Sequence, residues 1–207
     1  MGLNIGNTTI GGIYLGNTKI SEAYLGSTKI YSAAPPGPTF DYVTIGSQIW
    51  MSKNLAIDDG QGGIYTQTVD YGQGNVVEYY YTWDAAVRVA ASIPGWHLPS
   101  QTEWNTLTTT AGGNSNAGKK LKATYCWISY GRGTDDFGFT ALPAGYWYND
   151  SGTEWKYGGF KEGVTFWTSN SSNSSSAYTR YIITKASIYS DTGNKTRRAY
   201  SVRLVKD

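Results

Sequence analysis

The decapeptide Gly95-Trp96-His97-Leu98-Pro99-Ser100-Gln101-Thr102-Glu103-Trp104 constrains the fold more than any other stretch of this chain. Ser100 with Glu103 three residues on is a capping box: the serine side chain takes the backbone N–H of Glu103, and the glutamate reaches back to the N–H of Ser100. Pro99 holds Leu98 extended, so the chain enters the helix at a fixed angle. Trp104 and Leu107 then fall on one helical face, and Gly112-Gly113 stops the helix. With Trp96 and Leu98 just upstream, this junction is the expected centre of a core.

That core has ample material. The chain carries 8 Trp, 18 Tyr and 5 Phe in 207 residues, and charged residues make up only 15%. So many tyrosines exceed what a core absorbs, because each buried hydroxyl needs a partner, and a surface share suits a protein of contact. A net charge of +2 gives no general attraction to nucleic acid, and no nucleic-acid partner is expected. The basic residues do gather late, with Arg180, Lys185, Lys195, Arg197, Arg198, Arg203 and Lys206 against Asp191 and Asp207. This reads as solvated charge around strand ends, with a weakly basic face for anionic glycans as the sharper alternative. One cysteine, Cys126, excludes an intramolecular disulfide and a cysteine-based zinc site, and between Tyr125 and Trp127 it reads as an inert buried thiol. Met1-Gly2-Leu3-Asn4-Ile5-Gly6-Asn7 lacks the basic and apolar regions of a secretory signal, and no run is long enough to span a membrane. No membrane insertion is expected.

Residues 5–34 repeat at a period of ten. The copies begin Ile5-Gly6-Asn7-Thr8, Leu15-Gly16-Asn17-Thr18 and Leu25-Gly26-Ser27-Thr28, each with an isoleucine at its sixth position (Ile10, Ile20, Ile30). Gly-Asn or Gly-Ser between β-prone residues marks a tight turn, and such short segments gain stability by stacking on one another or on a larger assembly. Residues 1–34 are therefore expected to be an attachment or oligomerisation segment, a β-repeat stalk that suits a trimer. Residues 35–40, with Pro35, Pro36 and Pro38, read as a stiff linker, and 41–207 as the binding domain.

That domain opens with a hairpin signal over 41–51. A Gly/Gln/Asp-rich stretch at 58–77 reads as a long loop, and a first helix follows Thr82 as its cap. After the second helix, short strands are expected at 120–124, 138–142, 145–148, 165–168, 177–184, 187–190 and 200–205. Two helices followed by many short strands indicate an α+β fold with a mostly antiparallel sheet.

An ordered series of blocks carries a family resemblance. They are Thr44–Leu55, Tyr81–Ala86, Gly95–Ser100, Ala117–Lys122, Thr134–Phe139, Ala141–Gly145, Phe166–Ser169 and Ser201–Asp207. The series resembles the Fibrobacter succinogenes major paralogous domain over roughly residues 41–207. The resemblance implies a C-type-lectin-like fold, related to formylglycine-generating-enzyme-like domains and to variable proteins of diversity-generating retroelements. In such diversified relatives the variable positions fall between the last two blocks, which here is Ser169–Tyr200. The formylglycine chemistry needs a cysteine pair, which Cys126 alone cannot supply.

No catalytic set is expected. His97, the one histidine, sits inside the tryptophan-flanked motif as a structural residue, and Asp135-Asp136 read as turn caps. Phosphate-loop and nucleotide fingerprints are absent, and no cofactor or metal is expected; Trp147-Tyr148-Asn149-Asp150 lacks the Glu-Pro-Asn form that calcium-binding lectins use. Contact chemistry remains. Rigid aromatics mixed with small polar residues resemble a paratope. Candidate ligand-binding residues are Trp147, Tyr148, Asn149, Asp150 and Trp155 in one loop region. Asn170 and Asn173 join them from a Ser-rich run that reads as a loop, with Tyr178, Tyr181, Tyr189, Asn194, Arg197 and Arg198 beyond it. The expected function is a non-enzymatic, surface-displayed binding protein: a phage virion fibre or receptor-binding protein, homo-oligomeric, meeting a bacterial surface glycan or protein. Residues 1–34 would hold virion or fibre subunits, and the protein would reach the outside by host lysis. A structural capsid or tail decoration protein, or a bacterial cell-surface adhesin, are the alternatives.

Overall fold

A computed structural model of the protein describes residues 38–207 throughout and, in residues 1–37, Ser27 and six short strands. The chain divides into two units, Met1–Thr39 and Phe40–Asp207.

In the first unit β1 (Asn4–Ile5) pairs with β2 (Thr8–Thr9), β3 (Ile13–Leu15) with β4 (Thr18–Ile20), and β5 (Glu22–Leu25) with β6 (Thr28–Ser32), all antiparallel. The closing pairs Ile5↔Thr8, Leu15↔Thr18 and Leu25↔Thr28 leave two residues between them each time. Each repeat thus contributes one hairpin, the outcome that a Gly-Asn or Gly-Ser pair between β-prone residues favours. Residues 33–37, which include the first half of the expected linker, and Ile10 of the first repeat lie outside the described residues.

The second unit begins with a hairpin, β7 (Tyr42–Ile45) and β8 (Gln48–Met51), then a longer one, β9 (Ile64–Asp70) and β10 (Asn75–Tyr81). Helix α1 (Trp83–Ala91), β11 (Trp96–His97), α2 (Gln101–Thr110) and a short α3 (Ala117–Leu121) follow. The rest is β12 (Ala144–Tyr148), β13 (Lys156–Phe160), β14 (Gly163–Ser171), β15 (Ser176–Ile183), β16 (Ile188–Asn194), β17 (Arg198–Ala199) and β18 (Val205–Lys206). Strands β11-β18-β8-β7 form one sheet, so the two ends of this unit are joined by hydrogen bonds. A six-stranded sheet runs β13-β12-β14-β15-β16, with β17 on the second edge of β12; all its pairings are antiparallel except β12 with β14.

The core forms where the capping-box junction predicts. Ser100 accepts from the Glu103 N–H while its own N–H donates to Glu103 Oε2 at 2.7 Å. Trp104 and Leu107 are fully buried. The Trp104 ring lies 4.9 Å from Trp50 and 5.3 Å from Phe166, and Trp50 meets Phe139 edge-on at 6.0 Å. Thr82 occupies the cap position of α1 but makes no side-chain cap bond; its N–H instead donates to Gly63 O.

The fold class departs from expectation. The chain is mostly β, 39% strand and 15% helix in several separate sheets, and not a balanced α+β C-type-lectin fold. Three physical reasons account for the difference. The stretch expected as a loop at 58–77 supplies most of a fully paired hairpin, from Asn75↔Asp70 to Tyr81↔Ile64, because ladder bonds are made by the backbone whatever the Gly and Gln content nearby. Polar strands run further than their apolar pattern: β14 continues to Ser171 and β16 to Asn194. The helices are short, nine, ten and five residues. Two expected strands, 120–124 and 138–142, meet only at a bridge between Lys122 and Ala141, because α3 takes up Lys120 and Leu121.

Candidate functional site

The pleat of β12 sorts its side chains onto two faces. Trp147 turns inward and stacks on Tyr65, 5.9 Å away, while Tyr65 also meets Trp155 at 4.2 Å. Tyr146 and Tyr148 point the other way, their rings 5.7 Å apart. On that side the six-stranded sheet carries a polar cleft of about 470 Å³. Tyr146, Tyr148, Tyr181 and Tyr200 give it aromatic walls, Thr165 and Thr179 supply hydroxyls, and Asp150, Asp191, Thr192 and Arg198 line the rest.

Its charged groups are ordered. Arg198 Nη2 donates to Asp150 Oδ1 at 2.7 Å, and the guanidinium sits 6.0 Å from the Tyr148 ring. Asp191 accepts the Thr192 N–H at 2.7 Å. Tyr200 packs at 4.6 Å on the buried Trp167, and burial pushes its hydroxyl pKa up to about 12, against the pull of Arg198. Gly193 makes this packing possible: a Cβ there would stand 2.7 Å from both the Trp167 and Tyr200 rings. The phenol therefore stays a neutral hydrogen-bonding group in the floor of the cleft. Rings that stack and a ring of hydroxyls, carboxylates and one guanidinium can hold a polyhydroxylated ligand, through CH faces on aromatics and polar groups on its hydroxyls.

Of the residues the sequence singles out, Tyr148, Asp150, Tyr181 and Arg198 come together here. Tyr189 is drawn beside them, stacked on Tyr181 at 5.0 Å with the planes 14° apart. Tyr178, opposite Thr192 in the ladder, is half-buried and does not line the cleft. Arg197 reaches Asp150 O at 3.3 Å. Trp147 and Trp155 pack against the core instead. The four asparagines hold turns or a helix start: Asn149 accepts the Gly152 N–H, Asn173 those of Ser175 and Ser176, Asn194 those of Thr196 and Arg197, and Asn170 that of Gln101 at the start of α2. The Ser-rich run is accordingly the tip of the β14–β15 hairpin, with Lys195 bonded to Ser171 Oγ and Asn173 O. Tyr146, Thr165, Thr179, Asp191, Thr192 and Tyr200 are not among the candidates singled out from the sequence; they lie in or beside strands, and period-two alternation from Tyr148 and Tyr181 points to Tyr146 and Thr179.

The late cluster of basic residues does not form a basic face. Arg203 is buried, donating to Met51 O, Phe139 O, Thr140 O and Asn54 Oδ1; burial lowers its pKa to about 10, with Glu78 working the other way. Arg180 is buried and donates to Ser190 Oγ and to Asn105 Oδ1 of α2. Lys195 lies 4.2 Å over the Trp83 ring.

A second cleft, of about 360 Å³, lies under the β9–β10 hairpin beside the exposed Val76 and Val77. Its floor is a satisfied structural network, in which Glu78 accepts from Tyr71 and Asn54 and Arg203 donates to Asn54. Cys126 is half-buried, its Sγ 3.1 Å from Tyr71 O, and burial pushes the thiol up to about 11, so it is poorly nucleophilic. His97 lines neither cleft; Glu103 and Asp207 hold its two ring nitrogens at 2.7 and 2.6 Å. Asp135 caps a turn through the N–H and hydroxyl of Thr140. Among the described residues no group of three or more His, Cys, Asp or Glu side chains could hold a metal ion, and no helix is long and apolar enough to cross a membrane.

Scaffold and cleft together define a β-rich domain with an aromatic, polar cleft on one sheet face. The family model of the Fibrobacter succinogenes major domain matches residues 43–206, and the chain belongs to that family. No curated protein and no solved structure matches the chain. Within the matched region the blocks that carry the resemblance build the core, through Trp50, Leu55, Phe139, Phe166, Trp167 and Arg203. The cleft is lined almost entirely from the intervals between them.

Proposed function

We propose that this chain is a non-enzymatic binding protein whose ligand, a surface glycan, lies in the cleft between Tyr146, Tyr148, Tyr181 and Arg198. One observation carries the reading: four tyrosines, three threonines, two carboxylates and an arginine converge on a single concave face. Stacking rings with convergent hydroxyl-binding groups suit a neutral ring with many hydroxyls better than a flat protein epitope. The ten-residue hairpin repeats of residues 1–34 support display from an assembly, for which a phage fibre or receptor-binding protein, homo-oligomeric through that segment and directed at a bacterial surface, is the reading we adopt.

The test is a glycan array probed with the whole chain and with Arg198→Ala. Arg198 is partly exposed and its ion-pair partner Asp150 is exposed, so its removal should leave the melting temperature near that of the parent. Binding to a restricted glycan set, weakened by roughly tenfold in the variant, is the expected result. Equal binding by both proteins contradicts the assignment of the site.

A further inference from the structure

A second depression of about 300 Å³ adjoins the cleft and shares Tyr146, Thr165 and Tyr181 with it. It lies beside the turn from β13 to β14, lined there by Gly159, Glu162, Gly163 and Val164. Both spaces are at or above the lower end of ligand pockets, roughly 300–1,000 Å³. Two such spaces sharing aromatic walls form one groove across the sheet.

The charge along that groove is uneven. At the first end Arg198 is engaged by Asp150, and Arg197 hangs on Asp150 O outside the lining. The second end is lined by one charged side chain, the exposed Glu162, and by no cation. An anionic ligand unit there would face a carboxylate without compensation, which works as a device against such ligands.

Building on the glycan reading of the first cleft, we infer that the ligand is an oligosaccharide of at least two rings, lying across Tyr146 and Tyr181, whose second unit beside Glu162 is neutral or amino-bearing and never acidic. Thr165 is the group both units share. Tyr146 and Tyr181 set the boundary between the two units, so a single ring in the first cleft leaves the second depression empty.

The experiment sorts array glycans by ring number and by charge and compares the whole chain with Glu162→Lys. Glu162 is exposed, so the substitution leaves the fold intact. Glycans of two or more rings should bind roughly tenfold more tightly than their monosaccharides, a gain of about 1.4 kcal/mol from filling the second depression. Uronic-acid or phosphate-bearing oligosaccharides should be rejected by the parent and gained by Glu162→Lys. If monosaccharides bind as tightly as oligosaccharides, or Glu162→Lys keeps the parent's charge preference while Arg198→Ala still weakens binding, the second unit is wrong and the first cleft stands. If the parent retains no glycan at all, the glycan reading falls and this inference with it.

Discussion

The indole of Trp147 lies 5.9 Å from the ring of Tyr65 with the planes 28° apart, so one strand, β12, anchors the core with this residue and offers its neighbours Tyr146 and Tyr148 to solvent. The two faces therefore answer differently to truncation. Trp147→Ala should cost about 3 kcal/mol, the low end for losing a packed aromatic, because Trp147 is only half-buried. Tyr148→Ala should cost under about 1 kcal/mol of stability and act mainly on binding. Urea unfolding of both variants beside a binding isotherm checks the division.

His97 couples stability to pH. Burial disfavours its charge, but the hydrogen bonds to Asp207 and Glu103 outweigh that, and its pKa is raised above the ordinary value. Its contribution is therefore complete below about pH 6.5 and is lost as pH rises through the raised value. For Glu103, burial again works against the charge. The Ser100 N–H and His97 prevail and lower its pKa, so its contribution is complete above about pH 4.3 and is lost as pH falls through the lowered value. Both are whole at pH 5–6 (roughly). His97→Gln should lose on the order of 1 kcal/mol there, held down by solvent screening at a side chain 40% exposed, and the gap should close as pH rises through the raised value. Denaturation at a series of pH values measures it.

Arg203 ties β18's approach to the Phe139–Thr140 segment and to Met51 and Asn54, with no carboxylate bonded to it. Arg203→Met strands several buried neutral acceptors and should cost on the order of 3 kcal/mol, at about 1–3 kcal/mol for each group left without a partner. Arg203→Lys should recover little of this, because an ammonium cannot reach the same fork of partners. Chevron or equilibrium urea data on the pair separate charge from geometry.

Gly193→Ala should destabilise by about 1–3 kcal/mol through overpacking, since the new Cβ would press on Trp167 and Tyr200. Tyr200 is in the cleft floor, so the same variant should also weaken ligand binding; thermal melts and an isotherm at a temperature where the variant is folded distinguish the two effects.

Local chemistry was readable from sequence where partners are close along the chain. The Ser100–Glu103 box, the burial of Trp104 and Leu107 and the cap made by Asp135 all rest on separations of a few residues. Arg203 and Asn54 are 149 residues apart, so nothing local marks that bond. The hairpin β9–β10 was hidden because Gly, Gln and Asp around it outweigh Ile64, Val69 and the tyrosines in a pattern reading, and its loss from the expectation tipped the fold class toward α+β. In the candidate site, composition found the right strands but did not sort their faces. Trp147 and Tyr148 are neighbours with opposite roles, and Asn149, Asn170, Asn173 and Asn194 spend their side-chain oxygens on the backbone.

Binding of the whole chain to its retained glycans, measured for Tyr148→Ala/Tyr181→Ala and for Val76→Asp/Val77→Asp, decides between the sheet-face cleft and the one beneath β9–β10. The expected result is loss of binding by roughly a hundredfold in the tyrosine pair, two aromatic contacts at about tenfold each, and unchanged affinity in the valine pair. Full affinity in a folded tyrosine pair, with loss confined to the valine pair, contradicts it.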